Sequence, residues 1–135
     1  MIEIEENIIG TLLVSDYAKT FLNKIQVVWF SDYRQHIIQT IKNLYETNNI
    51  IDLRTIGRIH KDRAYEIAVM TNSVISDRNF EAELINLEYV YKKNRLIESI
   101  LKVKSDDAST YNNLKTQYAN AIKNGEILII PEDAG

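Results

Sequence analysis

The chain has 135 residues, 45% apolar and 26% charged, with a net charge of −3, a balance that excludes intrinsic disorder and predicts one globular domain able to bury a core. It contains no Cys, which excludes disulfide scaffolds, thiolate metal sites and cysteine nucleophiles and fits a reducing, cytoplasmic setting. No apolar run reaches the roughly 20 residues of a membrane span, the start MIEIEE is acidic where a secretory leader is basic, and the acidic balance does not favour a dedicated duplex-DNA binder.

Only four Gly and one Pro occur, so long helices and few tight turns are expected. Ile4, Ile8, Ile9, Leu12 and Leu13 recur at helical spacing and predict a first helix with one apolar stripe. Glu3, Glu5 and Glu6 stand in its first turn, where carboxylates complement the helix dipole. Gly10 lies inside that stripe, where a glycine costs about 1 kcal/mol relative to alanine. A close approach by a second helix accounts for it. Asp16 is read as the cap of a short second helix carrying Tyr17, Phe21, Leu22 and Ile25. IQVVWF, Ile25 to Phe30, has β-type composition but no hairpin partner, and reads as a buried connection or a helix end.

Ser31 or Asp32 is the expected cap of a third helix, running to about Thr47 and carrying Ile37, Ile38, Ile41, Leu44 and Tyr45. ETNN stops it. Asp52 caps a fourth helix with Leu53, Ile56 and Ile59 inward. A fifth, about Arg63 to Asn72, is expected to bury some combination of Tyr65, Ile67, Ala68 and Met70. The longest pattern runs from Asp77 to about Lys104, and KSDDAS breaks it. A last helix then runs from Ser109 or Thr110 to about Asn124, with Gly125 after it and the tail EILIIPEDAG beyond.

The long helix carries two stripes. Phe80, Leu84, Leu87 and Tyr91 form one; Tyr89, Leu96, Ile100 and Val103 form the other. Two stripes call for two packing partners. The last helix, with Tyr111, Leu114, Tyr118, Ala121 and Ile122, covers one. Either the hairpin folds back on the first five helices or it meets another chain.

No nucleotide-binding glycine loop and no nucleophile elbow occur. His36 and His60 are the only histidines, and they lack metal-ligand spacing. His36 reads as a partly buried polar residue and His60 as a solvated one. Glu5/Glu6 and Asp106/Asp107 are adjacent pairs that do not face one another on a helix, and Glu81, Glu83 and Glu88 read as solvent-side charges. No catalytic residue, metal or cofactor is therefore expected. Two basic groups stand out: Arg54, Arg58, Lys61 and Arg63, and Lys92, Lys93 and Arg95. The first could contact a partner or a phosphate backbone; a solvated helix face explains it as well. The eight Tyr follow the helix stripes, which favours packing over base stacking.

In order and spacing the chain resembles the N-terminal domain of bacterial and phage replicative DNA helicases, the DnaB-like family. The resemblance rests on EENIIGTLLV from Glu5 to Val14, Phe30, HIIQTIKNLYETNNIIDLRTI from His36 to Ile56, then Asn79, Tyr91 and RLIES from Arg95. It covers about residues 5 to 104. The segment between Ile59 and Tyr65 is shorter than in the family and lacks its Gly-rich turn. The resemblance implies an all-α fold: a globular cluster of about five helices in residues 1–75, a long-helix/short-helix hairpin in 76–125 for oligomerisation, and a tail or linker start in 126–135.

In that family such hairpins pair between subunits, and the dimers close into a collar, a trimer of dimers. The resemblance therefore implies a non-catalytic oligomerisation and partner-docking domain in DNA replication, with primase or a helicase loader as partner and weak or no direct DNA binding. It places the self-association seam at Leu84, Leu87, Tyr91, Tyr111, Leu114 and Tyr118. A parent protein of full length would be an ATP-dependent helicase; an excised domain, a stand-alone phage-type relative and an accessory factor all fit. Alternatives are the C-terminal helicase-binding domain of primase, a phage regulator that binds the host helicase or its loader, and a helical DNA-binding protein using Arg54 to Arg63.

Overall fold

The computed structural model describes residues 2–103 together with 112–113, 115–117 and 119–120. It is all-α: no strand occurs among the described residues. Over residues 2–103 the α-helices are, in chain order, α1 (Ile2–Val14), α2 (Asp16–Lys19), α3 (Arg34–Glu46), α4 (Leu53–Ile59), α5 (Ala64–Asn72) and α6 (Phe80–Val103). Short 3-10 turns lie at Leu22–Lys24, Val27–Trp29 and Lys61–Arg63. The described residues between 112 and 120, where a last helix is expected, are helical.

The chain divides into two compact units, residues 1–87 and 88–135. The expected boundary at 75/76 falls instead inside α6. The reason is packing: Phe80, Leu84 and Leu87 belong to the hydrophobic core of the first unit.

The first unit is organised on α1. Its buried stripe, Ile8, Ile9, Leu12 and Leu13, is the one the spacing predicts. α1 packs chiefly on α5, through Ile67 and Met70. Gly10 marks the closest approach. A Cβ at Gly10 would overlap the Met70 carbonyl oxygen, lie 2.7 Å from its carbonyl carbon and 3.0 Å from Val74 Cγ2. Backbone occupies the space a side chain would need. The glycine's helix cost is thus offset by the contact it permits.

Polar groups fasten the other sides of α1. Glu5 is buried, and its Oε1 accepts from the Ser31 backbone N–H at 2.7 Å and from the Ser31 hydroxyl at 3.0 Å. Glu6 accepts two hydrogen bonds from the Arg34 guanidinium, at 3.1 and 2.7 Å. Asn7 Nδ2 donates to Glu83, so that carboxylate is tied to α1 and is not a solvent-side charge.

The caps differ from expectation in two places. α2 is capped by Ser15, whose Oγ accepts from the Ala18 N–H at 3.0 Å and whose hydroxyl donates to Asp77. Asp16 is the first helical residue. α3 has no side-chain cap: Ser31 is held by Glu5, and Asp32 adopts φ 53° in the turn. Asp52 does cap α4, accepting from the Thr55 N–H at 2.8 Å. ETNN ends α3 as expected, with Asn48 at φ 57°.

IQVVWF is a connection, not a strand. Ile25 and Phe30 are buried, and Val27–Trp29 forms a 3-10 turn. Lys42 Nζ donates to the Leu22 and Ile25 carbonyls at 3.1 and 2.6 Å, and Gln35 Nε2 to the Phe30 carbonyl at 2.8 Å. α5 buries Ile67 and Met70, but Tyr65 is 79% exposed.

In the second unit, Tyr89 and Val90 on α6 are buried and so is Lys93. Leu96 and Ile100 are half-buried, whereas Ile97 and Leu101 are exposed.

Gly10→Leu is expected to overpack the α1–α5 contact and destabilise by about 1–3 kcal/mol. Each kcal/mol lowers the thermal midpoint of a domain this size by about 4–8 °C. An unchanged midpoint in differential scanning calorimetry would show that α1 and α5 do not approach this closely.

Candidate interaction surface

The residues expected to form a self-association seam do not share one surface. Leu84 and Leu87 are 6% and 2% exposed and lie in the first unit's core. They are covered by their own unit and are not free to line a seam in this conformation. The sequence pattern could not distinguish a stripe meeting its own core from one meeting a second copy. Tyr91 is half-buried, and its hydroxyl accepts from Arg95 Nη1 at 3.1 Å. Tyr111, Leu114 and Tyr118 lie outside the described residues. α6 exposes Ile85 in the first unit and, in the second, Ile97 and Leu101, one helical turn apart. Neither stands in either expected stripe; their four-residue spacing was the available signal.

The basic group Arg54, Arg58, Lys61 and Arg63 is divided by the structure. Arg63 is engaged: its guanidinium lies 4.0 Å from the centre of the Tyr33 ring and 3.8 Å from Glu66. Arg34 lies 4.6 Å from the same ring. Burial, the largest influence, pushes the Tyr33 phenol above its ordinary value, against the opposing pull of Arg34. Arg54, Arg58 and Lys61 are exposed. None of these three makes an ion pair or side-chain hydrogen bond among the described residues.

Local structure explains why the three point outward together. Asp52 starts α4, and Ile56 is its fully buried residue. Arg54 and Arg58, one turn apart, then stand on the opposite side. His60 ends α4, and Lys61 opens the following 3-10 turn.

In the second basic group, Lys92 pairs with Glu88 at 3.5 Å, an exposed pair four residues apart and worth little. The buried Lys93 ammonium lies 5.6 Å from the centre of the Tyr89 ring. Arg95 stacks on Tyr91 at 5.8 Å. Lys93 and Arg95 thus lie against aromatic side chains of their own helix.

The histidines exchange their expected places. His36 is exposed, while His60 is half-buried with Nε2 2.8 Å from Thr40 Oγ1. The Thr40 hydroxyl also lies 3.0 Å from the His36 carbonyl, to which it donates. Thr40 Oγ1 thus links the His36 carbonyl and the His60 ring. Burial lowers the His60 pKa below its usual 6.5; the Asp62 charge opposes that shift and His36 adds to it.

Clefts open on the first unit among the described residues. One of about 440 Å³ is lined by Asp16, Lys19, Tyr45, Asn48, Asn49, Ile50 and Ile51. Another of about 230 Å³ is lined by Glu3, Glu6, Asn7, Val69, Met70 and Ser73. Among the described residues no group of three or more His, Cys, Asp or Glu side chains is placed to hold a metal ion. Among them, too, no helix is long and apolar enough to cross a membrane.

No protein-family model, no curated protein and no solved structure matches the chain.

Because native His60 resists protonation, the unfolded chain binds more protons in the window from its lowered pKa up to about 6.5. Stability should therefore rise with pH through that window and lose this contribution in acid. His60→Gln should flatten that part of the urea-midpoint profile between about pH 5 and 7. A profile whose slope in that window is unchanged by His60→Gln would contradict the assigned burial of His60.

Proposed function

We propose that this chain is a non-catalytic oligomerisation and partner-docking module of a DnaB-like replicative DNA helicase, acting in the cytoplasm during DNA replication. What supports the reading is the ordered set of residues from Glu5 to Arg95 that resembles that family's N-terminal domain, together with an all-α architecture. The observation that carries its self-association half is the exposed apolar pair Ile97 and Leu101 on α6. An isolated helix face of this kind loses stability to water and gains it by meeting a second apolar face.

In this reading the seam includes Ile97 and Leu101 in place of Leu84 and Leu87. Two copies pair along their α6 helices, and such dimers are the building block of a three-dimer collar. The collar holds motor subunits in register and receives a primase or a loader. The chain does no chemistry of its own. Its contribution is to raise the local concentration of parts that act together.

The test is size-exclusion chromatography with light scattering at tens of micromolar. The reading predicts dimers or larger species, and a shift to monomer in the Ile97→Glu/Leu101→Glu variant. A strict wild-type monomer would remove the collar reading and leave the primase-domain and phage-regulator alternatives.

A further inference from the structure

We infer that Arg54, Arg58 and Lys61, with the apolar side chains of Ile59 and Tyr65 beside them in the chain, form a docking surface for an acidic amphipathic helix of a protein partner. This rests on the docking half of the proposed function and needs no self-association.

Five observations support the surface. First, the cations are unengaged. Arg34, Arg63, Lys19 and Lys92 each have a carboxylate within 4 Å, and Lys42 is bonded to two carbonyls. Arg54, Arg58 and Lys61 have no such partner among the described residues, although the chain carries net charge −3. Asp52, close enough to Arg54 for their charges to interact, is already bonded to the Thr55 N–H.

Second, the platform is preorganised. The Asp52 cap and fully buried Ile56 hold α4 in place, the His60–Thr40 bond joins its end to α3, and Arg63 is stacked on Tyr33. Little ordering entropy then remains for binding to remove.

Third, exposed apolar side chains accompany the charges. Ile59 is 53% exposed and Tyr65 is 79% exposed. An apolar anchor with a charged rim is the composition of a protein interface, and Tyr and Arg are the residue types that contribute most at such contacts.

Fourth, carboxylates suit these particular donors. A guanidinium forks two parallel N–H bonds onto one carboxylate. Acidic residues a turn apart on a partner helix match Arg54 and Arg58, which are themselves a turn apart.

Fifth, the observations favour a protein over a nucleic acid. The cationic track is one short helix and a turn, and the whole chain is acidic. The neighbouring Tyr33 ring, which could have stacked on a base, has two guanidiniums against it. Phosphates would leave Ile59 and Tyr65 without an apolar partner.

The experiment is fluorescence anisotropy with the full chain and three labelled probes at about 0.15 M salt. One is a helical peptide with Leu on one face and Glu on the other, one is its Lys-for-Glu counterpart, and one is a thymidine oligonucleotide of about 20 nucleotides. The proposal expects the acidic peptide to bind best, and the triple variant Arg54→Glu/Arg58→Glu/Lys61→Glu to lose about tenfold or more in affinity. Ile59→Ser should weaken binding severalfold with less effect on its salt dependence. Since the three cations are exposed, the triple variant should keep its thermal midpoint; should it not, Arg58→Ala/Lys61→Ala supplies the same comparison.

Three results would overturn the proposal. One is equal binding of the acidic and basic peptides. Another is acidic-peptide affinity untouched by charge reversal. The third is tighter binding of the oligonucleotide through the same residues, which would make this a phosphate-binding face. Failure here leaves the light-scattering result standing, and the reverse is also true.

Discussion

At Gly10 the backbone of α1 meets the backbone of α5 with no side chain between them, and the first unit is assembled around that contact. The Met70 carbonyl sits where a Cβ would be. Bringing the two helices this close lets Ile8, Ile9 and Leu12 interlock with Ile67 and Met70 in one dry core. Phe21, Phe80 and the first turns of α6 extend that core, with the Phe21 and Phe80 rings 5.8 Å apart. An alanine in place of the glycine would improve intrinsic helix propensity. It would also force apart the backbones on which the rest of the packing depends.

A second layer of control is polar. Apolar stripes bring helices together but tolerate sliding and rotation. Glu5 to Ser31, Glu6 to Arg34, Asn7 to Glu83 and Ser15 to Asp77 join α1 and its C-terminal end to three other parts of the chain. Each bond has a strict geometry. Together they select one register of α1 against its neighbours. The Glu6–Arg34 pair is partly buried and doubly hydrogen-bonded, which makes it more specific than the exposed Lys19–Asp16 and Lys92–Glu88 pairs.

Local rules read much of this from the residues. Periodicity locates α1, α3, α4 and α5; on α4 only Ile56 is fully buried, and Ile59, expected inward, is 53% exposed. Asp52 announces α4, and Gly10 announces a close approach. Long-range polar pairing was not legible. Nothing near Ser31 in the chain reveals that Glu5 holds it, so a cap was expected where there is none. Ser15 is not distinguishable as the cap from its neighbours in sequence, because Asp16 beside it is an equally good capping type. The stripe Phe80, Leu84, Leu87 is legible as apolar, and in the structure it lies in the first unit's core. Spacing reports that a face is greasy and not which surface covers it. Likewise a run of four basic residues carries no sign that Arg63 stacks on Tyr33 while the other three stay in water. Only the contacts of Arg63 separate it from the three exposed cations of that group.

The functional account turns on what the second unit leaves uncovered. Leu84 and Leu87 lie inside the first core, and in the second unit the exposed apolar side chains of α6 are Ile97 and Leu101, on which the proposed pairing of two copies rests. The natural chain has no Cys, so a single introduced thiol reports on one position alone. The most direct measurement is oxidative cross-linking of Leu101→Cys, with Asn23→Cys, exposed on the first unit, as the comparison. The account predicts rapid disulfide-linked dimer from position 101 and slow, dilution-sensitive dimer from position 23. Equal rates at the two positions, or no dimer from 101, would contradict it.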